Sequence, residues 1–297
     1  MVQSNISYRP RIAVLLAAFN GMKWIKEQIE SILNQQDVHV HIFISVDLSS
    51  DGTELWVEEL AATEKRVEVL PYGAQFGSAG KNFFRLMADV KFDNFDAVAL
   101  ADQDDIWMPH KLKSAIATIN KENVNATSSD VIAFWEHGKR RVIKKSYPKR
   151  KFDHFFEAAG PGCTYVLECN SAKILQKFIQ NNPEKIAKIM HHDWFIYAFY
   201  RCTDFKWCID TNPTMLYRQH SNNQVGVNIG LKAYLERLKI VKNKEYRGQV
   251  EQIIKMLAPS DAHSFQNYWF LLKNAYNFRR KFRDRIILFF LFLFKIY

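Results

Sequence analysis

Residues 96–105 read DAVALADQDD: five consecutive apolar residues run straight into three carboxylates within four positions. The apolar run is too short for a helix and shows no polar alternation. It suits a strand buried on both faces, as strands of parallel sheets are. Carboxylates crowded at its end repel one another unless positive charge lies between them. A hard divalent cation such as Mg²⁺ or Mn²⁺, shared with phosphate oxygens, answers that need. The plainer reading is a solvated acidic turn opening a helix, where acids are favoured by the helix dipole.

Working outward, the same alternation of short apolar runs and helical periodicity fills the first 135 residues. Ile12–Ala18 is a second buried-strand run, and Lys23–Asn34 follows with Trp24, Ile25, Ile29, Ile32 and Leu33 on one helical stripe. Val40–Val46 and Arg66–Leu70 read as strands. Thr53–Ala62, capped by Asp51, and Gly80–Ala88 read as helices. Met108–Asn120 starts beside Pro109, a favourable first-turn position. This order predicts an α/β fold with a mostly parallel sheet flanked by helices on both faces. Ligands of such sheets gather beyond the carboxyl ends of the strands. Asp47 and Asp102–Asp105 both fall there.

Further on, Lys139–Lys151 (KRRVIKKSYPKRK) reads as a surface hairpin or mobile loop, Gly160–Leu167 as a buried strand, and Ser171–Gln180 and Asp193–Tyr200 as helices. Trp207–Tyr217 returns to short strands around Pro213, and Leu231–Leu257 and Ser260–Tyr297 read as helices. We divide the chain into a catalytic domain, residues 1–228, and a helical C-terminal region, residues 229–297.

The charge is lopsided. Residues 1–130 carry a net −6 and residues 131–297 a net +16, for +10 overall. A nucleic-acid protein concentrates its excess on one compact domain or arm. An acidic front half and a basic back half fit a polyanionic ligand or an anionic membrane surface instead. A hydrophobic fraction of 48% excludes wholesale disorder. Cys163, Cys169, Cys202 and Cys208 form no CxxC, which argues against a structural zinc site and for a reducing, cytoplasmic setting. The first twenty residues hold a seven-residue apolar run without a cleavage site, so no secretory signal is expected.

Several side chains outside the acidic run suit chemistry. Asp47 closes the run HIFISVD and precedes the turn-rich Ser49-Ser50-Asp51-Gly52, where it can accept the imide N–H of a pyrimidine base or form an Asx turn. The GSAGKN stretch fails as a phosphate loop of the Walker type, because Gln75 and Asn82 stand where Gly and Ser/Thr are needed. It remains a flexible loop opening a helix whose free N–H groups can meet phosphate. Asp193, in HHDW, is a candidate general base, and His220, in YRQH, a candidate metal or phosphate ligand. Each alone reads equally as a surface or core-satisfied residue.

Together, AAFNG (17–21), QIESILNQ (28–35), SVDLSSDGT (45–53), GKNFF (80–84), LADQDDIWMPHKL (100–112), HHDW (191–194) and YRQHSNN (217–223) resemble a family 2 glycosyltransferase of the GT-A fold, nearest its bacterial rhamnosyltransferase-like branch. The resemblance covers about residues 10–225. It implies inverting, metal-dependent sugar transfer from a nucleotide-sugar, dTDP-rhamnose or a UDP-hexose. It also implies that Phe19 and the backbone around Ala17 hold the base, that Asp47 bonds its imide, and that Asp102 contacts the ribose or the metal. Asp104 would ligate Mg²⁺ or Mn²⁺, with His220 reaching the metal or the diphosphate. Gly77 and Gly80 would face the donor sugar, and Asp193 would be the general base. The chain departs from the family pattern at Val46, where a second aspartate is usual, and at Ala18-Phe19, where Thr-Tyr is common.

The C-terminal stretch RRKFRDRIILFFLFLFKIY has a nine-residue apolar run, Ile286–Phe294. A spanning helix needs about 20 residues. A basic, Phe-rich helix lying in the headgroup region is expected, with packing on the protein's own core as the alternative. These features point to a lipid-linked glycan acceptor for surface-polysaccharide assembly (O-antigen or capsule), met at the inner face of a bacterial plasma membrane, and to no nucleic-acid partner. Two other classes bear on the same residues. A nucleotidyltransferase shares the sheet and acidic cluster but would carry a Gly- and Lys/Arg-rich loop where this chain has Phe19-Asn20-Gly21. A non-enzymatic basic membrane- or nucleic-acid-binding module explains the tail and not the spaced aspartates.

Overall fold

The computed structural model describes residues 8–220 and 244–297. The expected domain boundary at 228/229 lies outside the described residues. The apolar runs form the strands they predict: β1 (Arg11–Ala18), β2 (His39–Val46), β3 (Val67–Val69) and β4 (Ala97–Asp102). Short strands follow: β5 (Ile106–Trp107), β6 (Ala126–Ser129), β7 (Val131–Trp135), β8 (Arg140–Ile143), β9 (Val166–Glu168), β10 (Trp207–Asp210) and β11 (Met215–Gln219). Seven of them make one sheet in the order β10-β6-β9-β4-β1-β2-β3, parallel except where β9 runs against β4 and β6.

Alternate side chains of β1 enter opposite cores, as the two-residue period of a strand demands. Ala13, Leu15 and Ala17 face one side; Ile12, Val14, Leu16 and Ala18 face the other. The second layer holds α1 (Ile25–Leu33), α2 (Thr53–Thr63) and α4 (Lys111–Glu122). The first holds α3 (Ala79–Asp89), α5 (Cys169–Asn181) and α7 (His192–Cys202), with the single turn α6 (Pro183–Ile186) between the last two. Fully burying each Leu or Ile is worth roughly 1.5–3 kcal/mol, and both faces of the sheet collect that gain.

Two local expectations are corrected. Trp24 does not join the core stripe of α1; it precedes the helix, and Gln28 takes a buried place beside Ile25, Ile29 and Ile32. Gly160–Leu167 is not one strand. Gly162–Thr164 forms a 3₁₀ turn and only Val166–Glu168 pairs. The basic Lys139–Lys151 segment begins as the hairpin strand β8 against β7, within a second sheet of order β5-β11-β7-β8 that the sequence does not announce.

The C-terminal helices α8 (Glu245–Leu257), α9 (Ala262–Gln266), α10 (Tyr268–Asn274) and α11 (Phe282–Leu293) pack into the same core as α3, α5 and α7. Phe156 stacks on Phe278 with centroids 4.3 Å apart, and Tyr246 stacks on Trp194 at 5.4 Å. Asp153 joins Arg201 of α7 at 2.8 Å to Arg280 before α11 at 2.9 Å. The tail therefore packs on protein through one face, burying Leu288, Leu291 and Phe292. Its other face leaves Phe282, Ile286, Phe289, Phe290 and Leu293 exposed. Cutting the chain near residue 258 would strip the cover from Phe156 and Phe152, so membrane attachment is better tested with surface substitutions.

Candidate active site

Strand register brings the first group of residues together. Ala17 pairs with Ser45 on one side and with Asp102 on the other, so β1, β2 and β4 end level. Phe19, Asp47 and Asp102 thus leave the sheet at one edge. The Phe19 backbone is clasped by Gln103, which accepts from Phe19 N–H and donates to Phe19 C=O, both at 2.8 Å. Phe19 as a residue stays 54% exposed, available for stacking. Asp47 is buried, and its two oxygens accept the amides of Phe76 (2.8 Å) and Gly77 (2.7 Å) as well as Leu48 (2.9 Å). It therefore holds the 71–78 loop against the sheet edge. Asp51 holds the facing turn, accepting from Met22 N–H at 3.0 Å and Thr53 N–H at 3.1 Å.

A second group comes from the ends of β4 and β11. His220 Nε2 lies 2.7 Å from Asp104 Oδ2, and the imidazole stacks on Trp24 with centroids 4.0 Å apart. Arg218 ties the two segments: its backbone N–H donates to Asp105 at 3.1 Å, its Nε to the Asp104 carbonyl at 2.7 Å, and its Nη2 to Glu27. Beside His220 opens a cavity of about 310 Å³ lined by Lys23, Trp24, Trp135, Glu136, His137 and Gln219.

A third group is the turn before α7. Asp193 is half-buried at the helix start; its Oδ1 accepts from Trp194 N–H at 2.8 Å. Its Oδ2 has no donor among the described residues. Two glycines let this turn approach. A Cβ on Gly80 would lie 2.2 Å from the Met190 carbonyl oxygen, and one on Gly162 would lie 2.5 Å from His192 Nε2 and 3.2 Å from Asp193 Cβ. Adjacent Cys163 stands with Asp102 and Asp105, the ligand atoms of all three within 4.8 Å of one another. Since consecutive Cα atoms are about 3.8 Å apart, the Gly162-Cys163 step links the Asp193 turn to the Asp102 edge.

The electrostatics agree with that proximity. Burial, then the Asp104 carboxylate and the Asp193 carboxylate, push Asp102 up to about 7. Asp105, fully buried, is held well above the usual carboxylate range by burial, then by Asp104 and Asp102. Lys111 lies beneath, its ammonium 4.2 Å from the Trp107 ring centroid and its pKa lowered to about 8 by burial. Burial also keeps His192, stacked on Phe83 at 4.1 Å, neutral down to about 4.

Two donor sets offer themselves to a cation. An octahedral ion with bonds of about 2.1 Å sets adjacent ligand atoms about 3 Å apart. Asp104 and His220, now 2.7 Å apart, need to open only slightly; the carboxylate suits either Mg²⁺ or Mn²⁺, and the softer imidazole nitrogen favours Mn²⁺ of the two. The Asp102, Asp105 and Cys163 group does not fit. Burial raises the Cys163 thiol well above its ordinary value, and a protonated thiol is no ligand for a hard ion.

Sequence reasoning missed Gln103, Trp24, Arg218 and Gly162. Gln103 lies inside the acidic run, so its position was in view but its clasp was not. Trp24 was hidden by its helical spacing, and Arg218 and Gly162 carry no local signal.

Against this geometry stand the comparisons with known proteins. Residues 10–174 match the family described as "Glycosyltransferase like family 2". The chain is 47% identical over 244 residues to a dTDP-rhamnosyl transferase of Shigella flexneri, covering 82% of this chain and 84% of that one. It is 27% identical to a UDP-Glc:alpha-D-GlcNAc-diphosphoundecaprenol beta-1,3-glucosyltransferase of Escherichia coli, over 38% of this chain and 43% of the relative. Among solved structures, S. aureus TarS with UDP-GlcNAc superposes with a TM-score of 0.59 at 13% identity, covering 96% of this chain and 80% of that one. A Pyrobaculum calidifontis mannosyltransferase with GDP-Man and Mn²⁺ gives 0.53 at 15% identity, covering 98% and 82%. At such identities the structures speak for a shared GT-A fold alone.

Proposed function

The chain belongs to glycosyltransferase family 2, and on that premise we propose that it moves rhamnose from dTDP-rhamnose to a hydroxyl of a lipid-linked glycan, with inversion and with a divalent cation. The observation that carries the donor assignment is the 47% identity to a dTDP-rhamnosyl transferase, which spans most of both chains. The sheet edge supports it. Phe19 offers its ring to the base, the loop held by Asp47 borders the same cleft, and Asp102 lies between Ala17 and the Asp193 turn.

In this reading Asp193 takes the proton from the acceptor hydroxyl as it attacks the anomeric carbon. Its Oδ1 is oriented by Trp194 N–H, which leaves Oδ2 for the proton. Attack on the face opposite the leaving dTDP inverts the centre without a covalent enzyme intermediate. Asp104 and His220 would hold the cation, which supplies charge neutralisation for the departing diphosphate. Trp24 keeps the His220 ring oriented, and Arg218 fixes Asp104 and His220 relative to each other. The loop bearing Gly77 borders the donor side, whereas Gly80, expected there too, lies buried in the first turn of α3 against the Met190 carbonyl. The acceptor end meets an anionic membrane through the exposed stripe of α11 and the basic back half.

A thermal-shift comparison of dTDP, dTDP-rhamnose and UDP-glucose, each with and without Mn²⁺, tests this. Ligand at about 100 times its Kd adds about 2.7 kcal/mol to apparent stability. For a chain of this size that raises Tm by about 5 °C. A larger rise with UDP-glucose than with dTDP-rhamnose would overturn the donor assignment.

A further inference from the structure

Arg285 stands in the first turn of α11, 8% exposed, yet its Nε and Nη1 have no hydrogen-bond partner. Its Nη2 reaches the Arg280 carbonyl at 3.3 Å. Arg150 Nε is likewise buried without a partner. Both guanidinium groups crowd one ring: Tyr276 lies with its centroid 4.5 Å from Arg150 Cζ and 4.3 Å from Arg285 Cζ. Asp284, the acid nearest in sequence, pairs with Arg279 and Arg283, and neither Arg150 nor Arg285 forms an ion pair among the described residues. A hydrogen bond from Arg285, then the charge of Arg150, draw the exposed Tyr276 hydroxyl below its ordinary pKa.

The Tyr276 hydroxyl gives these guanidinium groups a neutral acceptor, yet no carboxylate pairs with either of them among the described residues. Cations in the first turn of a helix oppose its dipole, and buried guanidinium nitrogens without acceptors forfeit their solvation. An anion with several acceptor oxygens would satisfy both, and phosphate matches the guanidinium fork. The neighbourhood says where that phosphate comes from. At about 100° per residue, Arg285 falls between the buried stripe of α11 and its exposed stripe. The ring of Phe282, which is 63% exposed and starts the apolar stripe, has its centroid 5.3 Å from the same guanidinium. A helix lying in an interface sinks its apolar face about 5–10 Å, which leaves a flanking cation level with the phosphates.

We propose that Arg150, Tyr276 and Arg285 form a clamp for the phosphate of an anionic membrane lipid, seated at the edge of the apolar stripe of α11. It rests on the membrane-surface reading above and adds a defined headgroup site to it.

The test uses the full chain and two probes: short-chain phosphatidate below its micellar concentration, titrated by calorimetry, and vesicles of phosphatidylcholine with or without phosphatidylglycerol, followed by sedimentation. Arg150→Gln and Tyr276→Phe, at half-buried and exposed positions, carry the result, with an unchanged unliganded Tm as the check on folding. Arg285→Gln is added where it folds. Loss of a charged hydrogen bond predicts about tenfold weaker phosphatidate binding for either arginine variant, a smaller loss for Tyr276→Phe, and a matching loss on anionic vesicles. Phe289→Ser with Phe290→Ser should weaken vesicle binding and leave phosphatidate binding intact. Wild-type affinity for phosphatidate in Arg150→Gln and Tyr276→Phe overturns the clamp, even if the chain still sediments with vesicles. Displacement of phosphatidate by equimolar inorganic phosphate overturns the lipid assignment. Arg150-dependent phosphatidate binding by a chain that ignores all vesicles would sink the membrane reading and leave the clamp standing.

Discussion

Gly162→Ala puts the geometry of the proposed base to a direct test. The added Cβ would sit 2.5 Å from His192 Nε2, so reaching ordinary contact at 3.4 Å asks His192 to retreat by about 0.9 Å. The imidazole cannot swing aside cheaply, because it is stacked on Phe83 at 4.1 Å and its Nε2 is enclosed. The retreat must therefore be shared with the first turn of α7, which carries Asp193. Overpacking of this kind costs about 1–3 kcal/mol of stability. A displacement near 1 Å at a reacting group costs about 100-fold in rate. Initial rates of the proposed rhamnose transfer should thus fall about 10- to 100-fold, with affinity for the proposed dTDP donor nearly unchanged because the donor-side contacts lie on other elements. The double variant Gly162→Ala, His192→Ala removes the obstructing ring and should recover most of the lost kcat. Full activity in Gly162→Ala would refute the reasoning, as would a double variant no better than the single.

Asp193→Asn should retain donor binding while kcat drops about 10²- to 10⁴-fold; normal turnover would remove Asp193 from proton transfer. Asp104→Ala should weaken by at least about tenfold the increment that Mn²⁺ adds to dTDP affinity, read by calorimetry, and an unchanged increment would free Asp104 of that role. Acid should destabilise the fold through His154 and His192, whose pKa values burial lowers to about 3 and about 4. The unfolded chain takes up both protons as pH falls through about 6.5 while the native state refuses them, so each site forfeits about 2 kcal/mol between pH 7 and pH 5. Urea unfolding at the two pH values measures this loss. His154→Gln should halve it, and a pH-independent midpoint in the wild type would contradict the burial argument.

How much of this was legible in advance follows the physics of each feature. The central strands β1, β2 and β4 and the helices between them were readable because double-sided burial demands unbroken apolar runs, and those runs stand in the sequence. The acids at their ends were readable because like charges so close require a reason. The second sheet was not, since its strand β5 has only two residues; nor was β6 of the main sheet, which reads ATSS, with Ser128 buried because its hydroxyl accepts from Trp207 Nε1 at 3.0 Å. A polar strand becomes stable only when a distant partner supplies its hydrogen bond. The tail was legible as apolar and basic. Which of its faces was spoken for depended on Phe156 meeting Tyr246, 90 residues along the chain, and Phe278 further still.

By itself the order of residues determined the layered α/β scaffold and the kinds of side chain placed at its carboxyl edge, since local periodicity and charge repulsion act along the chain. Tertiary structure alone decided that His220 lies against Asp104, that Gly162 makes room for the Asp193 turn, and that Arg150 and Arg285 share Tyr276. Those are contacts between segments far apart in sequence, and only folding sets their distances.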